Sequence, residues 1–294
     1  MTAMGLFQHN WDLSARDHAV HPWSAEPNTD WEARKMATYG AMVDRMDQSI
    51  GRLIAELKRL DQFVNTLIMF VSDNGGCAEF MAEDGWAKFF PDTTHDRRQI
   101  QMGNRPDVAP GGPLRYQSYD QSRANVLNAP LCLFKHYVHE GGISTPLVAH
   151  WPKGFEARAT AHAACHVINI LTTILEVAGA PYLNDLGGHE IQPAQGQSLL
   201  DLFQGTDWAR DEPIFWEHEG NSAIRLNQFR LVRQHGHDWE FYDMEADRTE
   251  LNNLAGAHAV LETDLKRQYQ GWADGSGVMD WDRALPKLVT AWQI

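Results

Sequence analysis

Residues 31–62, WEARKMATYGAMVDRMDQSIGRLIAELKRLDQ, place Met36, Tyr39, Val43, Met46, Ile50, Leu53, Leu57 and Leu60 at alternating spacings of three and four, and there the period stops. That period predicts one long amphipathic helix. A short turn later, NTLIMFVS (65–72) is apolar without alternation, which predicts a central strand over 66–72 covered on both faces. TPLVAHWP (145–152) reads as a second buried strand, with its paired part at 146–150. HVINILTTILEVAGA (166–180) reads as a helix ended by Gly179 and Pro181. The order helix, strand, long segment, strand, helix points to an α/β layer.

The character changes near residue 205. EPIFWE, SAIRL, FRLVRQ and WEFYDM are short strand-like runs separated by HEGN, NQ and HGHD, the pattern of an antiparallel meander. Val260, Leu261, Leu265, Tyr269 and Trp272 then recur as a helix laid over that sheet. The expected division is an α/β part over residues 1–205 and an antiparallel sheet with its helix over 206–294. Residues 1–30 are irregular, and Cys77 to Pro130 reads as a long segment rich in Gly, Pro, Asn and Arg, a length that marks either a functional loop or elements the pattern fails to assign.

A chain of 294 residues can bury a substantial core. The net charge of −14 argues against nucleic acid and anionic membrane surfaces as partners, so any anion site must be locally positive. No apolar stretch reaches membrane-spanning length, and MTAMGLFQHNWD lacks the pattern of an export signal. The three cysteines, Cys77, Cys132 and Cys165, are far apart and unpaired by spacing, and read as free thiols.

Chemistry concentrates where LIMFVS meets DNGG. Asp73 and Asn74 leave the end of the predicted strand, the edge at which open α/β sheets bind ligands. Asp-Asn-Gly-Gly is most commonly a turn. A carboxylate and an amide oxygen are also hard donors suited to Ca²⁺ or Mg²⁺, and the glycines behind them permit close backbone approach. Both readings stand on these residues alone.

Three blocks in order, NTLIMFVSDNGG, LFKHYVHEGGISTPLVAHWPKG and WEFYDMEADRTELNNLA, resemble the sulfatase family, in particular its arylsulfatases. The helices YGAMVDRMDQSIGRLIAELK and ILTTILEVAGA fit the same resemblance, which runs from about residue 30 to 255. It implies part of a large mixed-sheet α/β domain of the alkaline-phosphatase-like kind, with a smaller C-terminal antiparallel sheet and packed helix. It implies sulfate ester hydrolysis, with Asp73 and Asn74 as ligands of calcium, or of magnesium, and Lys135 contacting the sulfate of an aryl or carbohydrate ester. A fixed cation and an ammonium stabilise the charge that develops on a sulfate ester in transition. Gly141 and Gly142 are expected to serve a tight turn.

The departures are as informative. The family's nucleophile is a formylglycine made within Cys/Ser-x-Pro-x-Arg, and none of the three cysteines has Pro and Arg at those offsets. Ser144 has the proline without the arginine. The tandem aspartates that complete the family's metal site, and the lysine and histidines that precede the matched region, have no counterpart. Asn169 and Thr172 stand where the family's helix often has Asp and Pro. The chain therefore reads as the C-terminal half of such an enzyme, with the formylglycine expected on a missing N-terminal half. It is expected to need that half or to self-associate, because a divided sheet exposes edges and apolar surface. Alternatives are a phosphate or phosphonate monoester hydrolase of the wider superfamily and a non-catalytic remnant acting as a binding or assembly module. Family habit points to the periplasm or secretion.

Other polar clusters have bland readings. His9, His18 and His21 fit no helical ligand spacing and read as loop histidines. His136 and His139 flank Lys135 as candidate pocket residues. EHEGN (217–221) reads as a turn, with His218 and Asn221 as weaker candidate substrate contacts, and the eleven tryptophans read mainly as packing.

Overall fold

The computed structural model describes residues 2–5, 7, 11–81, 92–156 and 160–292. Helix α1 spans Thr29–Arg59, with Asp30 and Glu32 in its first turn and Lys58 and Arg59 in its last, each sign matched to the helix dipole. Its start is held firmly. The Trp31 indole donates to the Val108 carbonyl at 2.8 Å, buried Lys35 pairs with Glu32 at 2.8 Å and with Asp120, and Arg123 donates to Glu32 at 2.9 Å. Beyond Tyr39 the expected apolar face is largely open: Val43, Met46, Leu53 and Leu60 are all exposed, Leu53 by 67%.

Strand β1 (Ile68–Val71) pairs antiparallel with β4 (Leu147–His150), Ile68 opposite His150 and Val71 opposite Leu147. The expectation of two doubly buried strands does not hold. Phe70 and Val71 are exposed by 36% and 42%, and Val148 by 58%. The two strands make a two-stranded sheet, and among the described residues no layer covers all of it. A continuous apolar run marks a strand that seeks cover, not one that has it.

The segment after Cys77 is not one loop. It carries β2 (Gln101–Met102), paired parallel with β3 (Arg115–Tyr116), and then α2 (Asp120–Asn128). Asn104 pins it by accepting the Ser118 N–H and donating to the Ser118 hydroxyl, both at 3.0 Å. Two-residue pairings held by side chains leave no periodicity to read. After the short helix α3 (Glu140–Ile143) and β4 comes α4 (Ile168–Ala178), stopped by Gly179 at φ +62° as its composition predicts. Buried Asn169 accepts the His166 N–H at 2.7 Å and donates to the Gln197 carbonyl at 2.5 Å, so it organises the helix entry. A small hairpin, β5 (Asp185–Leu186) with β6 (His189–Glu190), and α5 (Leu200–Gln204) lead to Gly205.

The meander forms as expected. Strands β7 (Ile214–His218), β8 (Asn221–Leu226), β9 (Phe229–Arg233) and β10 (Glu240–Asp243) lie in the order β10-β9-β8-β7, all antiparallel. Helix α6 (Ala259–Gly275) covers one face, packing Leu265, Tyr269 and Ala273 on Ile224, Leu231 and Phe241. The other face is also covered, by Val138 and Ile143 against Ala223, Val232, Tyr242 and Met244. The last described element is α7 (Trp281–Trp292), which the sequence pattern does not announce because Pro286 lies inside it. Among the described residues no helix is long and apolar enough to cross a membrane.

Candidate active site

The DNGG turn is more than a turn. Gly75 donates its N–H to the Gly142 carbonyl at 2.8 Å, and a Cβ on Gly75 would stand 1.8 Å from the Gly141 carbonyl oxygen. Gly76 donates to the Asn128 side chain at 2.8 Å and accepts the Lys135 N–H at 2.9 Å. Ser72 accepts the Thr145 hydroxyl at 2.7 Å, and Cys77 donates its N–H to the Tyr119 hydroxyl at 2.6 Å. Residues 72–77 are thus stitched to α2, to the Lys135 segment and to α3 through backbone groups. Gly141 and Gly142 act differently from the turn expected of them. Neither has positive φ; they sit in α3, where a Cβ would meet the Cys132 or Tyr137 carbonyl at 2.2 or 1.9 Å. Absence of a side chain, not of a backbone restriction, is what these positions require.

This scaffold brings all three expected residues to one rim. Asp73 is exposed and Asn74 half-buried at the end of β1, and among the described residues neither side chain is engaged in a hydrogen bond. Lys135 Nζ lies 3.1 Å from a Glu79 carboxylate oxygen and 3.9 Å from the Cys77 sulfur. Burial works to lower the Lys135 pKa, but the Glu79 hydrogen bond and the charges of Cys77, Glu79 and Asp73 outweigh it and raise it above the ordinary lysine value. The ammonium therefore keeps its charge, the form that attracts an anion. The side-chain oxygens of Asp73 and Asn74 are hard donors of the kind calcium and magnesium take, and by themselves they are fewer than the six to eight calcium uses.

Behind the rim lies a buried ionic network that sequence reading missed. Glu140, wholly enclosed, is paired with Arg230 and accepts from Arg248 at 2.5 Å; Arg230 also donates to the Val138 carbonyl and lies 3.4 Å from Glu250. Glu250 in turn accepts the Glu140 N–H at 2.8 Å and the Cys132 thiol at 3.2 Å. Desolvation pushes the Glu140 pKa up, yet Arg248, Arg230 and Arg225 overcome it and hold the carboxyl well below its ordinary range. Burial, with Glu250 beside it, pushes the Cys132 thiol far up, and burial takes Cys165 to about 11, so both are inert thiols. All three cysteines are free, as expected. The available signal was Arg230 in FRLVR: an arginine between Phe229 and Leu231 on a central strand needs a buried partner.

The candidate histidines diverge. His139 turns inward, 3.6 Å from Glu240, whereas His136 faces out beside Glu219 and His218. Asn221 is buried and bonds backbone groups, so it is not a substrate contact; EHEGN is the β7–β8 hairpin turn. His18 is exposed next to Asp17, His21 pairs with Glu26 at 2.7 Å, and His9 lies outside the described residues.

The arrangement meets independent comparisons at this point. The profile described as Sulfatase matches residues 8–180. The chain belongs to the sulfatase family. A second profile, described as N-sulphoglucosamine sulphohydrolase, C-terminal, matches residues 132–271. An uncharacterized sulfatase of Schizosaccharomyces pombe is 30% identical over 85% of this chain and 45% of its own length. The N-acetylglucosamine-6-O-sulfatase of Bacteroides thetaiotaomicron is 25% identical over 75% of this chain and 32% of its own. The crystal structure of Ps i-CgsB in complex with k-i-k-neocarrahexaose superposes with a TM-score of 0.59 at 22% identity, covering 87% of this chain and 48% of that one. This sulfatase-family chain has the alkaline-phosphatase-like fold of such neighbours, and it spans less than half the length of these relatives.

Proposed function

We propose that this chain carries the cation-binding turn and the sulfate-contacting lysine of a sulfuric ester hydrolase acting on sulfated carbohydrate or aryl sulfate. The observation that carries the reading is the pair of backbone bonds, Gly75 to Gly142 and Lys135 to Gly76, which fix Asp73, Asn74 and Lys135 on one rim. Asp73 and Asn74 would hold Ca²⁺, or Mg²⁺, which when bound supplies positive charge to a sulfate oxygen. Lys135 orients the anionic group and offsets charge growing on its oxygens, while Glu79 keeps the ammonium in place. Carbohydrate is the favoured alcohol because the Bacteroides relative is an N-acetylglucosamine-6-O-sulfatase and a Sus scrofa relative, 24% identical, is an N-acetylgalactosamine-6-sulfatase.

The sequence has no Cys/Ser-x-Pro-x-Arg around Cys77, Cys132, Cys165 or Ser144, so the formylglycine of the reaction would have to come from outside these residues. Purified on its own, the chain is expected to leave a chromogenic aryl sulfate unhydrolysed. Placed in a protein that supplies the formylglycine segment, Asp73→Ala and Lys135→Ala should each lower turnover by about 10²–10³-fold. Asn74→Ala should cost less, since water replaces a neutral oxygen more readily. Unchanged turnover in Asp73→Ala and Lys135→Ala would reduce DNGG to a structural turn and remove the reading.

A further inference from the structure

Outside that rim, three donor side chains converge that neither the fold nor the sulfate reading uses. One ligand atom each from His136, His218 and Glu219 lies within 4.8 Å of the others, and His136 Nδ1 is 2.9 Å from a Glu219 carboxylate oxygen. The two imidazoles meet edge to face, with centroids 5.3 Å apart and planes at 82°. We propose that these residues form a binding site for a first-row transition metal ion of the zinc class, tying the Lys135 segment to the β7–β8 hairpin.

Four observations converge. First, the donor set of two imidazoles and one carboxylate is a zinc set, and imidazole discriminates against calcium and magnesium. Second, bonds of about 2.0–2.1 Å to zinc place tetrahedral ligand atoms about 3.3–3.5 Å apart, a spacing that the present separations, 2.9 Å for one pair and at most 4.8 Å for the rest, bracket. Third, His136 and Glu219, the two residues in direct contact, come from separate segments: Glu219 sits at φ +52° because the two-residue β7–β8 hairpin requires it, and His136 meets it from the Lys135 segment at φ +95°. Fourth, the backbone beneath them is clamped. Buried Asn221 donates to the carbonyls of both His136 and His218, at 3.2 and 2.9 Å, and accepts the His235 N–H at 3.1 Å. One amide thus fixes the two histidines relative to each other before any ion arrives.

The site leaves coordination positions open, because both histidines are exposed and the protein offers three ligands. Its occupancy would lock the residue next to Lys135 to the C-terminal sheet. The inference stands apart from the sulfatase reading, which uses none of these three side chains.

The test uses the full chain, stripped with chelator and titrated with Co²⁺. A visible d–d band saturating at one equivalent, displaced by Zn²⁺ and indifferent to excess Ca²⁺, is the expected result. His136→Ala and His218→Ala should each abolish the band with the far-ultraviolet circular dichroism unchanged, whereas Asp73→Ala should retain it. Asn221→Ala should weaken the affinity about 10–100-fold through loss of orientation. Hydrogen exchange provides a second readout that needs no variant: Zn²⁺ should slow it at residues 134–139 and 218–221 together. No saturable band, a band that survives both histidine variants, or one lost in Asp73→Ala would overturn the site.

Discussion

The β1–β4 pair is built from more apolar strands than the four-stranded meander, and it is the less enclosed of the two. In the meander, Ile224, Leu231, Val232 and Phe241 are wholly enclosed, because α6 closes one face and residues 138–143 close the other. In the β1–β4 pair, Phe70, Val71 and Val148 stay partly in solvent, as does most of the apolar face of α1. Strand composition points the wrong way: IMFV is wholly apolar and FRLVR carries two arginines, yet FRLVR is the enclosed one. What separates them is whether a second layer reaches both faces, and for the meander that layer comes from an α3 segment brought in by the Glu140–Arg230 network. The candidate active-site rim lies on the open region, and its support lies in the closed one.

The sharpest way to break the contrast is to remove the pin. Arg230→Met leaves Glu140 and Glu250 as neighbouring carboxylates with no buried arginine between them. Losing one partner of a buried ion pair costs about 3–5 kcal/mol; Arg248 still holds Glu140, so the cost falls chiefly on Glu250, which is left without a cation among the described residues. Guanidinium unfolding should show it, with the 138–143 segment gaining hydrogen exchange alongside the meander. A change within error would mean that apolar packing, not the ionic network, joins the two parts.

Truncations should differ between the sheets. Phe241→Ala opens a cavity in an enclosed core and is expected to cost about 3–5 kcal/mol. Val148→Ala removes methyls already half in water and should stay within about 0.5 kcal/mol. Equal costs would show that the β1–β4 sheet is as enclosed in solution as the meander.

Acid acts through the same pin with a definite sign. The Glu140 pKa falls from an ordinary 4.5 to about 2, so the carboxylate's contribution is fully present above pH 4.5 and is lost as pH drops toward 2. Stability should decline through that window in the parent chain. Glu140→Gln should flatten this part of the profile while lowering stability at neutral pH. A slope unchanged by the substitution would assign the acid sensitivity to other carboxylates.

These differences explain what the sequence disclosed. Period reveals α1, α4, α6 and the meander because each answers to a repeating local rule, helical or alternating. The motif blocks revealed the family and singled out Asp73, Asn74 and Lys135, which the fold places on one rim. Hidden were facts about partners distant in sequence. That Gly75 packs on Gly141, or that Arg230 answers Glu140 ninety residues away, leaves no mark at either position except a residue type that looks out of place. The exposure of β1 is hidden for the same reason, since a strand's own residues do not report whether its cover exists. The pairing of His136 with Glu219 joins two segments more than eighty residues apart and is equally invisible locally.

The smallest expected effect concerns what meets the open region. Apolar side chains exposed along α1, on β1 and β4, and at Val167, Leu171 and Ile174 of the α4 region exceed the scattered surface residues of a typical monomer. Exposed apolar surface of this kind favours association, and in the purified chain the available partner is a second copy. Sedimentation equilibrium should therefore show concentration-dependent association. Leu53 is 67% exposed in the middle of α1, so Leu53→Glu should weaken that association about tenfold, equivalent to about 1.4 kcal/mol, while changing folding stability by no more than about 0.5 kcal/mol. Amide exchange at residues 68–71 should slow as concentration rises, and exchange at 231–232 should not, because the second pair is already enclosed. A strictly monomeric chain at every concentration, with 68–71 as protected as 231–232, would mean that the open sheet finds its cover within its own chain, and the contrast between the two regions would vanish.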